Sequence, residues 1–237
     1  MTDIEYLKKY LDESKLDEGI KKLQNGEPVQ YIVGNVDFYG YTINVNKSVL
    51  IPRFETELLV EKTISYVNKY LNKKIDIVDL GCGSGCISIA LKKELDCNID
   101  AVDISKDALI VAKENAKNNN VDINFINGNM LEPLTKKYDL IISNPPYISY
   151  DEEIEDIVKN NEPSIALYAD DNGLYFYKEI IKNSKQYLKE KFIMAFEIGY
   201  TQKEELIEFA KKYYSDADIW VEQDLHNRDR YLFIKKI

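Results

Sequence analysis

The sequence contains little of several residue types that mark particular protein classes. Histidine occurs once, as His226, and the three cysteines are Cys82, Cys86 and Cys97. Three cysteines are too few for a disulfide framework, and one distant histidine without a second cysteine pair disfavours a zinc site. Two of the cysteines lie within a glycine-rich turn that needs small residues, so we interpret them as packing residues and expect no metal.

Long apolar runs are also missing. No stretch approaches the ~20 apolar residues that a membrane-spanning helix needs. The N-terminal segment MTDIEYLKKYLDESK carries charge throughout, and it therefore lacks the apolar centre of a signal peptide. The sequence predicts a soluble cytoplasmic protein, which we expect to be a monomer and not to bind membranes.

Positive charge is in the minority. Lys and Arg total 31 against 41 Asp and Glu, which gives a net charge of −10. Proteins that bind phosphate backbones usually present a basic surface. A local basic patch is compatible with this balance, but we expect no direct contact with nucleic acid.

The first third of the chain has a mixed pattern. Apolar spacing predicts two short amphipathic helices within residues 3–23. Aromatic and β-branched residues at 30–34 and 38–45 then predict a β-hairpin. A helix follows, with Thr56 as its expected N-cap.

From residue 74 onwards strands alternate with helices. The predicted strands before the C-terminal pair are 75–80, 98–102, 122–126, 138–143 and 191–196. This alternation is typical of a mostly parallel α/β sheet covered on both faces. The last two strands, near 217–221 and 231–234, have no helix between them, so one strand must be antiparallel. We predict three parts: a helical segment, a hairpin with a connecting helix, and a catalytic domain, at residues 1–27, 28–72 and 73–237.

A glycine-rich loop follows the first of these strands. Its glycines let a ligand lie against the main chain, and the N-terminus of the next helix favours an anionic group. Asp103 ends the following strand, where its carboxylate can accept hydrogen bonds from both hydroxyls of a ribose. The glycines occur at every second position, which favours S-adenosylmethionine over a nicotinamide dinucleotide. The predicted cofactor contacts here are Asp79, Gly81, Cys82, Gly83, Ser84, Gly85 and Asp103.

Two more strand ends carry candidate residues. Asn129 and Met130 follow the third strand and are expected to bracket an adenine, although an ordinary turn is nearly as good an explanation. The sequence Asn144-Pro145-Pro146-Tyr147 follows the fourth strand. The Asn144 side chain and the Pro145 carbonyl can accept both hydrogens of an –NH₂ group, and Tyr147 offers a face for stacking. These residues predict methylation of a planar amide or amine nitrogen, with Asn144, Pro145 and Tyr147 as the catalytic group.

Together these segments resemble the HemK/PrmC family of protein-(glutamine-N5) methyltransferases from about Pro28 to the C-terminus. The resemblance rests on the two loops above, on Ile51-Pro52-Arg53-Phe54-Glu55, on Glu162-Pro163 and on Glu197-Ile198-Gly199. It implies a Rossmann-like seven-stranded fold, S-adenosylmethionine as cofactor, and class-1 peptide chain release factors as substrate. By the same resemblance Asn144 also touches the cofactor, residues 144–147 hold the substrate glutamine, and Arg53 and Glu55 lie near the mouth of the site.

The chain departs from the family in two places, and three alternatives stay open. Only residues 1–27 precede the shared segment, where relatives usually carry a longer helical domain, so recognition of the substrate is expected to be weaker or organised differently. Asn161 stands where an aromatic residue often precedes Glu-Pro. The alternatives are a glutamine methyltransferase for a ribosomal protein, an adenine or cytosine amino-methyltransferase, and an inactive cofactor-binding partner protein.

Overall fold

The computed structural model describes residues 2–71 and 74–237. The first part contains three helices, a hairpin and a long helix: α1 Asp3–Tyr10, α2 Glu13–Gln24, α3 Val29–Val33, β1 Asn35–Phe38, β2 Tyr41–Asn44 and α4 Phe54–Tyr70. The rest alternates between strands and helices: β3 Ile75–Leu80, α5 Cys86–Glu94, β4 Cys97–Asp103, α6 Lys106–Asn118, β5 Asn124–Asn127, β6 Tyr138–Ser143, α7 Asp156–Asn161, α8 Tyr175–Asn183, β7 Leu188–Glu197, α9 Lys203–Tyr213, β8 Asp218–Gln223 and β9 Asp229–Lys236.

Seven strands form one sheet in the order β5-β4-β3-β6-β7-β9-β8. β9 pairs antiparallel with both of its neighbours, and the other pairings are parallel. The prediction of a mostly parallel Rossmann-like sheet with an antiparallel last strand is therefore confirmed. Chain order reverses between β3 and β6, and ligands bind at such a switch point in open α/β sheets, beyond the carboxyl ends of the strands.

Two buried apolar clusters cover the two faces of this sheet. Successive strand residues alternate between them: Ile77 belongs to the cluster with Leu59 of α4, and Val78 to the cluster with Tyr177 of α8. This alternation follows from the two-residue repeat of a β-strand. Both faces are therefore covered, and the carboxyl ends of the strands remain accessible to ligands.

The predicted strand at 30–34 is wrong, because the structure has helix α3 there. Pro28, with φ −56°, supplies the N-cap of this helix, and Gly34 ends it in the left-handed region. Tyr31 is buried, and its hydroxyl donates to the Val49 carbonyl at 2.6 Å. Tertiary packing thus overrides the strand propensity of Tyr, Ile and Val, and the hairpin forms instead from β1 and β2.

Thr56 is not the N-cap of α4. The helix begins two residues earlier, at Phe54, with Arg53 as its N-cap. Thr56 faces inward from the first turn and is 3% exposed. The two N-terminal helices are as predicted, α7 was not predicted, and the predicted boundary between residues 72 and 73 lies outside the described residues. No helix in the described part of the chain is long and apolar enough to cross a membrane.

Candidate active site

A cleft opens at the switch point, where β3 and β6 end. The Ser143 hydroxyl donates to the Leu80 carbonyl at 2.6 Å, so the starts of the two loops that follow these strands are held together. The cleft has about 1020 Å³ of empty space, including its open mouth. Its lining comes from both loops and from the ends of β4 and β5. Residues from other segments also line it: Ser48, Val49, Leu50, Pro52, Arg53, Pro163, Ile165, Ala166 and Phe176.

The glycine loop faces the cleft with its backbone. Gly81 and Gly83 have φ values of 72° and 53°, which lie in the left-handed region that favours glycine. The Gly81 N–H donates to the Val102 carbonyl at 2.8 Å, so the loop is tied to the end of β4. Four of its predicted cofactor residues line the cleft, namely Gly81, Cys82, Gly83 and Ser84. Gly85 lies behind them against Ala112 of α6.

Asp103 lines the cleft beside the glycine loop. One of its carboxylate oxygens accepts from the Gly83 N–H at 2.8 Å, and the other accepts from the Ser105 N–H at 2.8 Å. Burial raises the pKa of Asp103, while these two hydrogen bonds favour the ionised form. A carboxylate oxygen can accept more than one hydrogen bond, so both oxygens retain capacity for the hydroxyls of a ribose.

These residues fit S-adenosylmethionine. The carboxylate of Asp103 suits a ribose diol, and the backbone of the glycine loop suits close approach of a ligand. Ile104 and Met130, which also line the cleft, provide apolar surface for a flat ring. Asn129 lines the cleft too, but its side chain donates to the Glu132 carboxylate at 2.9 Å. A bond from Asn129 to adenine therefore stays a prediction.

Asp79 lies beneath the glycine loop, outside the lining of the cleft. It is 0% exposed and accepts a hydrogen bond from the Ser88 hydroxyl at 2.6 Å, which links the end of β3 to helix α5. Burial raises the pKa of Asp79 to about 7. Its direct contact with the cofactor stays a prediction, since the structure shows it supporting the loop from behind.

The raised pKa of Asp79 predicts a pH dependence of stability. A folded-state pKa of about 7 means that the carboxyl stabilises the fold fully below its unfolded pKa of about 4 and progressively less as pH rises to 7. Asp79→Asn should remove this loss, which amounts to about 2–3 kcal/mol between pH 5 and pH 8. Urea unfolding of the cofactor-free protein at pH 5 and pH 8 measures the difference. Asp107→Asn, at an exposed position of α6, controls for the lost charge, and an equal pH dependence in both variants would contradict the assignment.

The Asn144-Pro145-Pro146-Tyr147 loop continues from β6 along the cleft. Asn144 and Pro146 line the cleft, and both prolines are buried. The Asn144 Nδ2 donates to the Thr56 hydroxyl at 3.1 Å. This bond uses the amide nitrogen and leaves the Oδ1 oxygen to accept from a substrate.

Tyr147 closes the loop and is anchored from two sides. Its hydroxyl donates to Glu197 Oε1 at 3.4 Å, and its carbonyl accepts from Gln202 Nε2 at 3.1 Å. Burial raises the pKa of the Tyr147 hydroxyl well above its ordinary range. The ring is half-buried, and stacking of a substrate on it stays a prediction.

Arg53 forms an ion pair with Glu162, whose side chain is 1% exposed. The same carboxylate accepts from the Ile51 N–H at 3.0 Å. The lining segment around Arg53 and the lining segment that starts at Pro163 are therefore bound to each other beside the cleft. Glu55 is half-buried outside the lining, and its carbonyl accepts from the Tyr231 hydroxyl at 2.9 Å. Contacts of Arg53 and Glu55 with a substrate stay predictions.

Two polar residues near Asn144, Thr56 and Glu197, were assigned no function in the site from the sequence. Thr56 lines the cleft, and its hydroxyl donates to Glu197 Oε2 at 2.6 Å. Glu197 ends β7, just as Asp103 ends β4. Its position at the carboxyl end of a parallel strand is the signal that could have marked it. No group of three or more His, Cys, Asp or Glu in the described part of the chain is placed to hold a metal ion.

The chain resembles a family model and several known proteins. The family model described as "Methyltransferase small domain" matches residues 55–192. The release factor glutamine methyltransferase of Streptococcus pneumoniae is 38% identical over 217 residues, which is 90% of this chain and 77% of that protein. The one of Lactococcus lactis is 37% identical over 223 residues, which is 93% of this chain and 82% of that protein.

Solved structures share the fold at lower identity. The protein-(glutamine-N5) methyltransferase (release factor-specific) of Alicyclobacillus acidocaldarius has a TM-score of 0.52 at 22% identity, with 81% of this chain and 98% of that chain covered. A 16S rRNA N2 G1207 methyltransferase of Thermus thermophilus, solved with AdoMet and guanosine, has a TM-score of 0.62 at 15% identity, with 86% and 50% covered. At these identities the likeness shows the fold alone.

The fold, the cleft and the family model together define an enzyme, an S-adenosylmethionine-dependent methyltransferase. The extent of the sequence match identifies the family within that class: the chain belongs to the release factor glutamine methyltransferases.

Proposed function

We propose that the enzyme transfers a methyl group from S-adenosylmethionine to the side-chain amide N5 of the glutamine in the Gly-Gly-Gln motif of class-1 peptide chain release factors. The observation that carries the proposal is the placement of Asn144, with its amide nitrogen bound to Thr56 and its Oδ1 left to accept at the cofactor cleft. The names of the relatives from S. pneumoniae and L. lactis support the choice of substrate.

In the cofactor half of the proposed site, Asp103 binds the ribose hydroxyls and the glycine loop lies against the methionine part. Met130 and Asn129 lie beside the adenine, Asn144 also touches the cofactor, and Asp79 and Gly85 contribute from behind the loop. When bound, S-adenosylmethionine supplies an electrophilic methyl group.

Arg53 and Glu55 contact the release factor at the mouth of the cleft.

In the substrate half, Asn144 Oδ1 and the Pro145 carbonyl accept the two hydrogens of the glutamine amide. An amide nitrogen is a poor nucleophile because its lone pair is delocalised, and two acceptors draw electron density back to it. Pro146 stiffens the loop, and Tyr147 stacks on the planar amide. Orientation of this kind contributes on the order of 7 kcal/mol or more. The nitrogen gains the methyl group first and then loses one proton to water at the open mouth of the cleft, so a strong general base is not required.

Labelled S-adenosylmethionine tests the proposal. The enzyme is incubated with a purified class-1 release factor, with the same factor carrying Gln→Ala in its Gly-Gly-Gln motif, with ribosomal proteins, and with bulk RNA and DNA. We expect label in the unmodified release factor and none in its variant. Label in nucleic acid alone would show a nucleobase methyltransferase, and label in a ribosomal protein alone would show the same chemistry on another substrate; both overturn the proposal.

We propose a cytoplasmic monomer that does not bind nucleic acid directly, which the net charge of −10 supports. The division at residues 1–27, 28–72 and 73–237 is a proposal as well. The Asn161 side chain donates to the Gly26 carbonyl at 2.8 Å, so the first part is fastened to the catalytic part where the family resemblance leads one to expect an aromatic residue.

A further inference from the structure

A buried carboxylate lies beneath the Asn144-to-Tyr147 loop, and the proposed chemical steps do not use it. Glu197 is 2% exposed. Its Oε2 accepts from the Thr56 hydroxyl at 2.6 Å, and its Oε1 accepts from the Tyr147 hydroxyl at 3.4 Å. A carboxylate removed from water lowers stability unless hydrogen bonds compensate. Such groups cluster at functional sites, and this one is a single side chain away from Asn144.

The number of protons fixes the direction of these hydrogen bonds. An ionised carboxylate only accepts, and a threonine hydroxyl has one proton to donate. Thr56 donates that proton to Glu197, so toward Asn144 its oxygen can only accept. It accepts from Asn144 Nδ2 at 3.1 Å. If the Asn144 amide were flipped, its Oδ1 would face the Thr56 oxygen, which has no proton left to donate.

We infer that Glu197 and Thr56 are positioning residues that hold the Asn144 amide in the orientation that turns Oδ1 toward the methyl-accepting nitrogen. The inference rests on the proposed function, in which Asn144 Oδ1 accepts a hydrogen of the substrate amide. A reversed Asn144 would present an N–H donor to the N–H of the substrate, and both donors would lose a partner.

The surroundings of Glu197 determine whether its charge is maintained. Burial raises the pKa of Glu197, and the negative charge of Glu55 on α4 adds to that effect. The hydrogen bonds from Thr56 and Tyr147 and the positive charge of Arg230 on β9 favour the ionised form. Arg230 is held in place by a bond from Nη1 to the Ile198 carbonyl at 3.1 Å. Glu197, Thr56 and Asn144 thus form a hydrogen-bond relay. The carboxylate at its start is held by groups on α4, on the Asn144-to-Tyr147 loop and on β9.

Thr56→Val tests the relay because it keeps the shape of the side chain and removes the oxygen. On a release factor we expect kcat to fall by about 100-fold, the size of effect that misplacing a reacting group produces. The KM for S-adenosylmethionine should stay nearly unchanged. Thr56→Ser, which retains the hydroxyl, should restore most of kcat. Thr63→Val is the matched control: Thr63 is also buried in α4, at 0% exposed, and its hydroxyl bonds to no group in the described residues.

A kcat in Thr56→Val equal to that in Thr63→Val would overturn the inference, as would equal losses in Thr56→Val and Thr56→Ser. A second measurement does not depend on the substrate. In ¹⁵N-labelled protein, the side-chain NH₂ signal of Asn144, assigned by its absence in Asn144→Ala, should exchange slowly with solvent in the wild type and quickly in Thr56→Val. Equal exchange would refute the relay, whereas failure of the wild type to label a release factor would refute the proposed function instead.

Discussion

Asn144→Ala should lower kcat by about 100- to 1000-fold, the effect of removing one preorganised hydrogen-bonding group from a reacting centre. Asn144 is the residue of the loop whose side chain both lines the cleft and bonds to the relay beneath it. Alanine removes the acceptor and leaves the two prolines to hold the backbone. Turnover on a release factor measures the loss. Calorimetry measures binding of S-adenosylmethionine, which should be largely retained because Asp103 and the glycine loop, which make most of the proposed cofactor contacts, are untouched.

Asn183→Ala provides the control for this variant. Asn183 is exposed at the end of α8, where its side chain bonds only within the helix, to the Glu179 carbonyl and carboxylate. We expect its turnover to equal that of the wild type. Unchanged turnover in Asn144→Ala would show that the loop does not hold the methyl acceptor.

Gly173→Ala should be the most disruptive single-methyl change near the site. Gly173 has φ +81°, and a Cβ there would lie 2.0 Å from the Tyr147 carbonyl oxygen and 2.8 Å from Gln202 Nε2. Both atoms belong to the hydrogen bond that anchors the Asn144-to-Tyr147 loop. The loop must therefore move, or the packing around Gly173 must be disrupted. We expect a loss of about 3 kcal/mol or more in the free energy of unfolding, since overpacking adds to the left-handed backbone strain. Urea unfolding and turnover both report it.

Gly40→Ala separates the effect of overpacking from that of backbone strain. Gly40 lies in the β1–β2 turn with φ +78°, and a Cβ there meets nothing within 4 Å. Only the backbone strain of about 1–2 kcal/mol applies, and turnover should be preserved. If the two variants unfold alike and Gly173→Ala stays active, Gly173 does not support the loop.

Much of the site was predictable because it lies at strand ends. The strand Tyr138–Ser143 is buried at every position and has the apolar centre Leu140-Ile141-Ile142, as is common in a strand covered on both faces, so its carboxyl end and the loop that follows are visible in the sequence. The same rule located Asp103 and the glycine loop. Parallel strands bring these ends to one edge of the sheet, and the structure places Asp103, Gly83 and Asn144 around one cleft.

The contacts that could not be predicted are those between distant parts of the chain. Thr56 bonds to a carboxylate 141 residues away, and Arg53 pairs with one 109 residues away. From the local sequence, Thr56 at the start of a helix favours an N-cap, since threonine is common there. Its actual partner depends on where β7 ends relative to α4, and that is a property of packing rather than of local pattern.

The antiparallel course of β9 has a consequence for how substrates can change in this family. The β8–β9 turn, residues 224–228, opens at the same edge of the sheet as Glu197. Asp224 holds the turn together by accepting from the His226 and Arg228 N–H groups at 2.8 and 3.0 Å, and Leu225 projects from it, 70% exposed. Residues inserted here would extend the rim of the site without shifting a strand or altering the cofactor loop. Growth of a single hairpin is thus a route by which this fold can fit a new protein surface while the methyl-transfer chemistry stays intact.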